Sequence, residues 1–244
     1  MSADTAYGPN PAPTPAGVLI IDKQPGFTSM DVCAIVRTRL RRGGAPKRIK
    51  VGHAGTLDPL ATGVLVVLVG RATRAVNALM ATEKEYRTKV DLSRRSTSDD
   101  LGGELSDVPV ACPPDRAAVE AALERFRGVV LQTPPQFSAM KVGGRRAYAL
   151  AREGEHAPLA ARPVEIHEIE LRSYEWPLAE LHIRCGKGVY IRSLARDLGI
   201  ALGTGGMLTE LRRTRVGTFE ILAAKTLDEL PQVLVQEHLA PLAE

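Results

Sequence analysis

Aromatic side chains are scarce in this chain of 244 residues: five Tyr, four Phe and one Trp, 4% in all. Each ring is therefore conspicuous. Cysteine is scarce too. Cys33, Cys112 and Cys185 include no C-x-x-C pair, and an odd count does not build a disulfide framework. The pattern fits a reduced, cytoplasmic chain with structural thiols. No apolar run reaches spanning length and no charged-then-apolar leader opens the chain, so neither a helical membrane span nor a signal peptide is expected. The five histidines (53, 156, 167, 182 and 238) offer no pair at helical metal spacing. His182 and Cys185, three apart on an expected strand, point to opposite faces. There is no G-x-x-x-x-G-K-[ST] phosphate loop, no strand-linked G-x-G-x-x-G and no G-x-S-x-G elbow. An enzyme built on this sequence is expected to use neither a metal nor a nucleotide cofactor.

Acidic residues are missing from one place where they matter. Arg37, Arg39, Arg41, Arg42, Lys47, Arg48 and Lys50 fall within fourteen residues that hold no acid. Lys141, Arg145, Arg146 and Arg152 form a second acid-free run, while acids gather between 99 and 124. The net charge is only +4, but this segregation points to a polarised surface whose basic side faces phosphates. Solubilising charge on solvated helix faces is the competing explanation.

Residues 1–16, with prolines at 9, 11, 13 and 15, read as an extended tail outside the fold. GVLIID (17–22) reads as a buried strand. Thr28 and Asp31 have capping-box spacing ahead of a helix whose inner face is Val32, Ile35, Val36 and Leu40, ended by Gly43–Gly44. Strands are predicted at 64–69, 84–92, 163–172, 179–186 and 206–221. Helices are predicted at 72–80, from Asp115 through Phe126, at 192–202 and at 226–237. Segment 93–114 reads as a long loop or hairpin, and 131–154 as extended and then helical from about Arg145. Strands and helices alternate without a βαβ rhythm, so the fold class is α+β with a mixed or mainly antiparallel sheet.

The densest polar chemistry is VGHAGTLDPLATGVLVVLVG (51–70), a glycine-punctuated loop carrying Asp58 and anchored by an unbroken apolar strand. Asp-Pro also opens ordinary turns. Three constellations sit at element ends: His53, Thr56 and Asp58; Lys84, Tyr86 and Arg87; Lys187, Tyr190 and Arg192. A carboxylate, a tyrosine and an arginine meeting in one cleft would be workable. The guanidinium keeps the carboxylate ionised and aimed, and the phenol offers a stacking face and a hydroxyl for proton traffic. Each residue also has a plain structural reading as strand, core or surface-pair residue.

The chain resembles the TruB family of tRNA pseudouridine synthases. GVLIIDKQPGFTS (17–29) is similar to the family's opening strand and lysine turn, VGHAGTLDPLATGVL (51–65) to its catalytic loop, and EKEYRTKV (83–90) to its tyrosine strand. QFSAMKVGGRRAYALAREG (136–154) is similar to its RNA-gripping thumb, and KGVYIRSLARDLG (187–199) and LTELRRTRVG (208–217) to its arginine and leucine motifs. The resemblance implies isomerisation of uridine 55 in the tRNA T loop by a pseudouridine synthase fold, a mostly antiparallel mixed sheet flanked by helices with a catalytic cleft across its middle. It implies Asp58 as nucleophile, Tyr86 as the ring stacking on the flipped uracil, and Arg192 as the partner orienting the aspartate. His53, Tyr190 and Leu211 match substrate-contacting positions, and Lys23 a lysine near the floor of the site.

The implied partner is tRNA, with no membrane, no obligate protein partner and no cofactor, in a cytoplasmic monomer. The domain reading is a catalytic domain over 17–244, a thumb-like insert at about 131–154, and no C-terminal RNA-binding module before Glu244. Two departures from the family pattern stand out: Thr97 where an aspartate is usual, and Lys-Gln-Pro in the lysine turn. RNA-guided pseudouridine synthases and a tRNA-folding chaperone are the alternatives. The thumb-like insert argues against the first, and intact Asp58, Tyr86 and Arg192 against a chaperone without chemistry.

Overall fold

A computed structural model describes residues 14–138, 140–155 and 157–242. The expected tail at 1–16 therefore lies almost wholly outside the described residues. The first half of the chain runs β1 (Gly17–Lys23), α1 (Ser29–Arg42), β2 (Val51–His53), β3 (Thr62–Val69), α2 (Val76–Ala81), β4 (Lys84–Asp91), β5 (Arg94–Ser96), β6 (Leu105–Asp107) and α3 (Arg116–Glu124). It continues with β7 (Gly128–Gln132), β8 (Lys141–Val142), β9 (Arg145–Arg146), α4 (Ala147–Arg152), β10 (Arg162–Glu175), β11 (Leu178–Cys185), α5 (Ile191–Leu202), β12 (Met207–Val216) and β13 (Phe219–Glu220).

Nine strands form the main sheet, in the order β1-β3-β12-β4-β11-β10-β7, with β2 on β3 and β13 on β12. Every described pairing in it is antiparallel except β3 with β12. The α+β expectation of a mixed, mainly antiparallel sheet holds.

Strand β3 explains its own composition. Leu65, Val67 and Val69 enter the large core shared with α1, α3 and α5, whereas Val64, Val66 and Leu68 enter a second core with Val76 and Leu79 of α2. A strand covered on both faces reads as a continuous apolar run. β3 also changes partner along one edge. Its first residues pair with β12 (Thr62 with Arg212, Gly63 with Arg213), its last with β2 (His53 with Val67, Val51 with Val69). β12 and β2 diverge from that edge, and the Asp58 loop occupies the wedge between them.

Helix α1 starts on the anticipated capping box: the Thr28 side chain accepts from the Asp31 amide at 3.1 Å and Asp31 accepts from the Thr28 amide at 2.9 Å. Segment 93–114 contains the anticipated hairpin, β5 with β6. The single strand expected over 206–221 is two, β12 and β13, split at a glycine turn.

The helix expected at 226–237 does not form. Thr226 and Glu229 close a single turn, Pro231 follows, and Arg39 of α1 takes the Leu227 and Leu230 carbonyls at 2.6 and 3.0 Å. Leu227, Leu230 and Leu234 still face the core, so their apolar spacing marks burial rather than helix. The 72–80 helix is likewise shorter than expected, a 3-10 turn over Gly70–Ala75 leading into α2.

The arm between β7 and β10 carries the β8–β9 hairpin and α4. Ala147, Leu150 and Ala157 form a small core of their own there, with Met140 and Leu159 packed on it.

Candidate active site

The loop carrying Asp58 is held from two sides. On one side, the buried Ser29 hydroxyl accepts from the Leu57 amide at 2.8 Å and donates to the Leu57 carbonyl at 3.1 Å. Gly26 donates to the Pro59 carbonyl at 2.9 Å, and the Lys23 ammonium donates to the same oxygen at 3.2 Å. On the other side, Arg213 of β12 reaches across to the Gly55, Thr56 and Val64 carbonyls. Asp58 itself opens a tight turn that Ala61 closes by donating to its carbonyl at 3.0 Å, with Pro59 supplying the fixed φ.

Arg192, in the first turn of α5, meets the expected aspartate. Its Nε lies 2.9 Å from Asp58 Oδ2 and 3.6 Å from Asp100 Oδ2. Its Nη1 donates to the Ser98 carbonyl at 3.1 Å and its Nη2 to the Phe137 carbonyl at 2.9 Å. The Arg192 and Asp100 side chains are 6% and 7% exposed, whereas that of Asp58 is 32% exposed. Of the two carboxylates on this guanidinium, Asp58 is the one open to solvent.

Burial pushes the Asp58 carboxyl above the usual range and the Asp100 charge adds to this, against the pull of Arg192 and Lys23. Burial also raises the Tyr86 phenol, against the opposing effect of Arg213, so the hydroxyl is neutral at physiological pH. His53 is lowered, first by burial and then by Arg213, which keeps the imidazole uncharged. Lys23, buried and donating to the Gln24, Phe27 and Pro59 carbonyls, is brought down to about 8 by burial, with Asp58 opposing.

Tyr86 and Leu211 lie on one face of the adjacent strands β4 and β12, and both belong to the main core. Tyr190 is the N-cap residue of α5. Its backbone exchanges two hydrogen bonds with the Gln132 side chain, at 2.8 and 3.1 Å, and the Arg162 guanidinium stands 5.3 Å from its ring centre. Three expected companions fall outside the site. Arg87 is exposed on the other face of β4, and Lys187 is exposed in the turn before α5. Lys84 is buried but caps α2 through the Leu79, Met80 and Thr82 carbonyls.

Other contributors were not singled out from the sequence. Asp100 supplies the second carboxylate on Arg192. Thr97 only closes the β5–β6 hairpin, exchanging hydrogen bonds with Glu104 at 3.0 and 3.1 Å. Asp99, at φ 61°, receives Arg196 at 2.9 Å, and burial raises its carboxyl to about 6. Arg213 was within reach of pattern reading, because it sits two residues after Leu211 and so on the same strand face. Glu168, Glu170 and His182 cluster within 4.8 Å on the sheet's opposite face, but Arg184 already takes Glu168 at 3.2 Å.

The nine-stranded mixed sheet, flanked by helices and carrying a loop aspartate on a buried arginine, has the fold of a pseudouridine synthase. The model of the TruB family pseudouridylate synthase N-terminal domain matches residues 42–191, and that of the tRNA pseudouridylate synthase B C-terminal domain matches 192–242. A tRNA pseudouridine synthase B of Thermobifida fusca is 48% identical over 236 residues, covering 93% of this chain and 78% of that protein. Another, of Mycobacterium tuberculosis, is 46% identical over 223 residues, covering 90% and 73%. Among solved structures, a Cbf5 chain from a Cbf5-Nop10-Gar1 complex superposes with a TM-score of 0.61 at 31% identity, covering 89% of this chain and 57% of that one. A chain of an H/ACA RNP bound to a substrate RNA containing 2'-deoxyuridine gives 0.58 at 30%, covering 84% and 48%. This chain thus spans about half the length of those solved chains. It belongs to the TruB family of tRNA pseudouridine synthases, isomerases that act on tRNA.

Proposed function

We propose that this protein converts uridine 55 in the T loop of tRNA to pseudouridine, with Asp58 as the nucleophile. The observation that carries this reading is the Asp58–Arg192 pair at 2.9 Å, with the arginine sealed and the aspartate open. The target base leaves its stack at a cost of a few kcal/mol, partly offset by stacking on Tyr86. Asp58, held ionised by Arg192 and Lys23 against the cost of burial, attacks the nucleoside. The bond from uracil N1 to the sugar breaks, the base turns, C5 bonds to C1′ as the Asp58 carboxylate is released, and the C5 proton leaves while N1 ends protonated. Reactant and product are isomers, so the chemistry consumes no oxidant, reductant or second substrate. The neutral Tyr86 hydroxyl is placed for proton traffic in the later step. His53, Tyr190 and Leu211 contact the substrate, and Lys23 supports the floor of the site.

The arm between β7 and β10, with its own small core, fits a grip on RNA, and the protein would act as a free-standing cytoplasmic monomer. The test is pseudouridine formation on unmodified tRNA, mapped by nucleotide, with native protein and Asp58→Asn side by side. Product at uridine 55 with native protein alone is the expected result. Native-rate turnover by Asp58→Asn would overturn the assignment of the nucleophile.

A further inference from the structure

Arg213 is the largest fully buried side chain among the described residues, 2% exposed. Its three contacts to main chain all go to the strand and loop that carry Asp58: Nε to the Val64 carbonyl at 2.8 Å, Nη2 to Gly55 at 3.0 Å and Nη1 to Thr56 at 3.4 Å. Val64 sits where β3 has left β12 and has not yet met β2, whose pairing resumes with the Ala54 amide on the Val66 carbonyl at 2.9 Å. One guanidinium therefore closes the gap in the sheet and clamps both stems of the loop, 55–56 before Asp58 and 64 after it.

The main chain at Arg213 is equally committed. Gly63, at φ 98°, lies so close to it that a Cβ would fall 2.1 Å from the Arg213 carbonyl oxygen. On its other side, Arg213 is the register partner of Tyr86 on β4. No carboxylate of the described residues lies within ion-pair distance of it. A buried cation without a counter-charge is costly to keep. It is well suited, however, to holding several acceptors in one rigid planar fork.

We infer that Arg213 is the positioning residue of this site, holding both stems of the Asp58 loop against the strand that carries Tyr86 so that nucleophile and tyrosine keep a fixed separation. The inference rests on the proposed isomerisation. Arg39 provides an internal contrast: another buried arginine that donates to two carbonyls, Leu227 and Leu230, but ties the C-terminal segment to α1.

The experiment compares Arg213→Lys and Arg39→Lys for kcat, KM and Tm, using an unmodified T-arm RNA. Both should lower Tm. Only Arg213→Lys should lower kcat, by roughly 100-fold for a misplacement of about 1 Å, with KM nearly unchanged. In a Tyr86→Phe background the same substitution should cost much less, because the two residues act through one geometry. Native kcat in Arg213→Lys, or fully multiplicative losses in the double variant, would overturn the inference. A second readout needs no change at Arg213 and so survives a folding failure of the lysine variant. The Arg213 guanidinium N–H signals of the full chain should exchange slowly with solvent, as three buried carbonyl contacts require, and rapid exchange would refute the clamp. If native protein made no pseudouridine, the functional reading would fall, while the NMR result would still decide how Arg213 is held.

Discussion

Asp58 and Asp100 share the Arg192 Nε, yet only Asp58 opens to solvent, and their mutual repulsion has readable consequences. A nucleophilic carboxylate must be ionised, so activity should fall as pH drops through a value above the ordinary aspartate range. Asp100→Asn removes the like charge and should move that acid limb of the pH–rate profile to lower pH, provided folding is retained. Stability should show the opposite preference. The Asp58 carboxyl is raised in the folded state, so the fold holds this proton to higher pH than the unfolded chain does. Above that window the ionised group works against folding. Asp58→Asn should therefore raise Tm near neutral pH while abolishing product, and the gain should vanish in acid once both states are protonated. Arg192 keeps Asp100, Ser98 and Phe137 as partners in that variant, so it is not left as an isolated buried charge.

At the scale of elements, the start of α1 separates a purely structural device from one that shapes the site. Thr28 caps the helix, and Thr28→Ala should cost about 1 kcal/mol of stability with kcat unchanged. Its neighbour Ser29 satisfies both the amide and the carbonyl of Leu57 beside Asp58. Ser29→Ala strands two buried backbone groups, costing about 1–3 kcal/mol, and should lower kcat as well, because the strain falls on the loop that carries Asp58. Chemical denaturation and single-turnover rates on both variants separate the two effects; equal kcat losses would show that the loop is not the sensitive element.

Across the whole molecule, only the first basic run stays clear of carboxylates as its order along the chain suggested; Arg145 of the second run pairs with Glu153 and Glu155. Among the described residues, Arg37, Arg41, Arg42, Lys47, Arg48, Lys50, Arg71 and Arg74 make no ion pair with a carboxylate, whereas most charges on the open sheet face are paired, as Arg184 is with Glu83 and Glu168. Unpaired cations are available to phosphates. tRNA affinity should fall steeply with salt. Lys47→Ala and Arg48→Ala should each flatten the log–log salt slope by about 0.9 for a duplex phosphate contact, leaving single-turnover chemistry at saturating RNA intact. An unchanged slope would place the RNA on another face.

Much of the fold and site was legible from local order. The capping box at Thr28 and Asp31, the apolar run of β3 and the placement of Asp58, Tyr86 and Arg192 at element ends all follow from short-range pattern, because helix caps, strand burial and turn chemistry act within a few residues. The false helix at 226–237 shows where that reach ends. Its leucines are buried as their spacing requires, but its carbonyls bond to Arg39, nearly two hundred residues earlier. Asp100 was opaque for the same reason, and so was the role of Arg213, although its strand face could be read. Their roles come from partners brought close only when β12 joins β3 and β4, and when the β5–β6 loop folds onto α5. Sequence by itself determined which chemistry the chain carries. Tertiary structure alone decided which carboxylate is open, which is sealed, and which buried arginine holds the loop, since exposure and hydrogen-bond partnership are properties of packed neighbours.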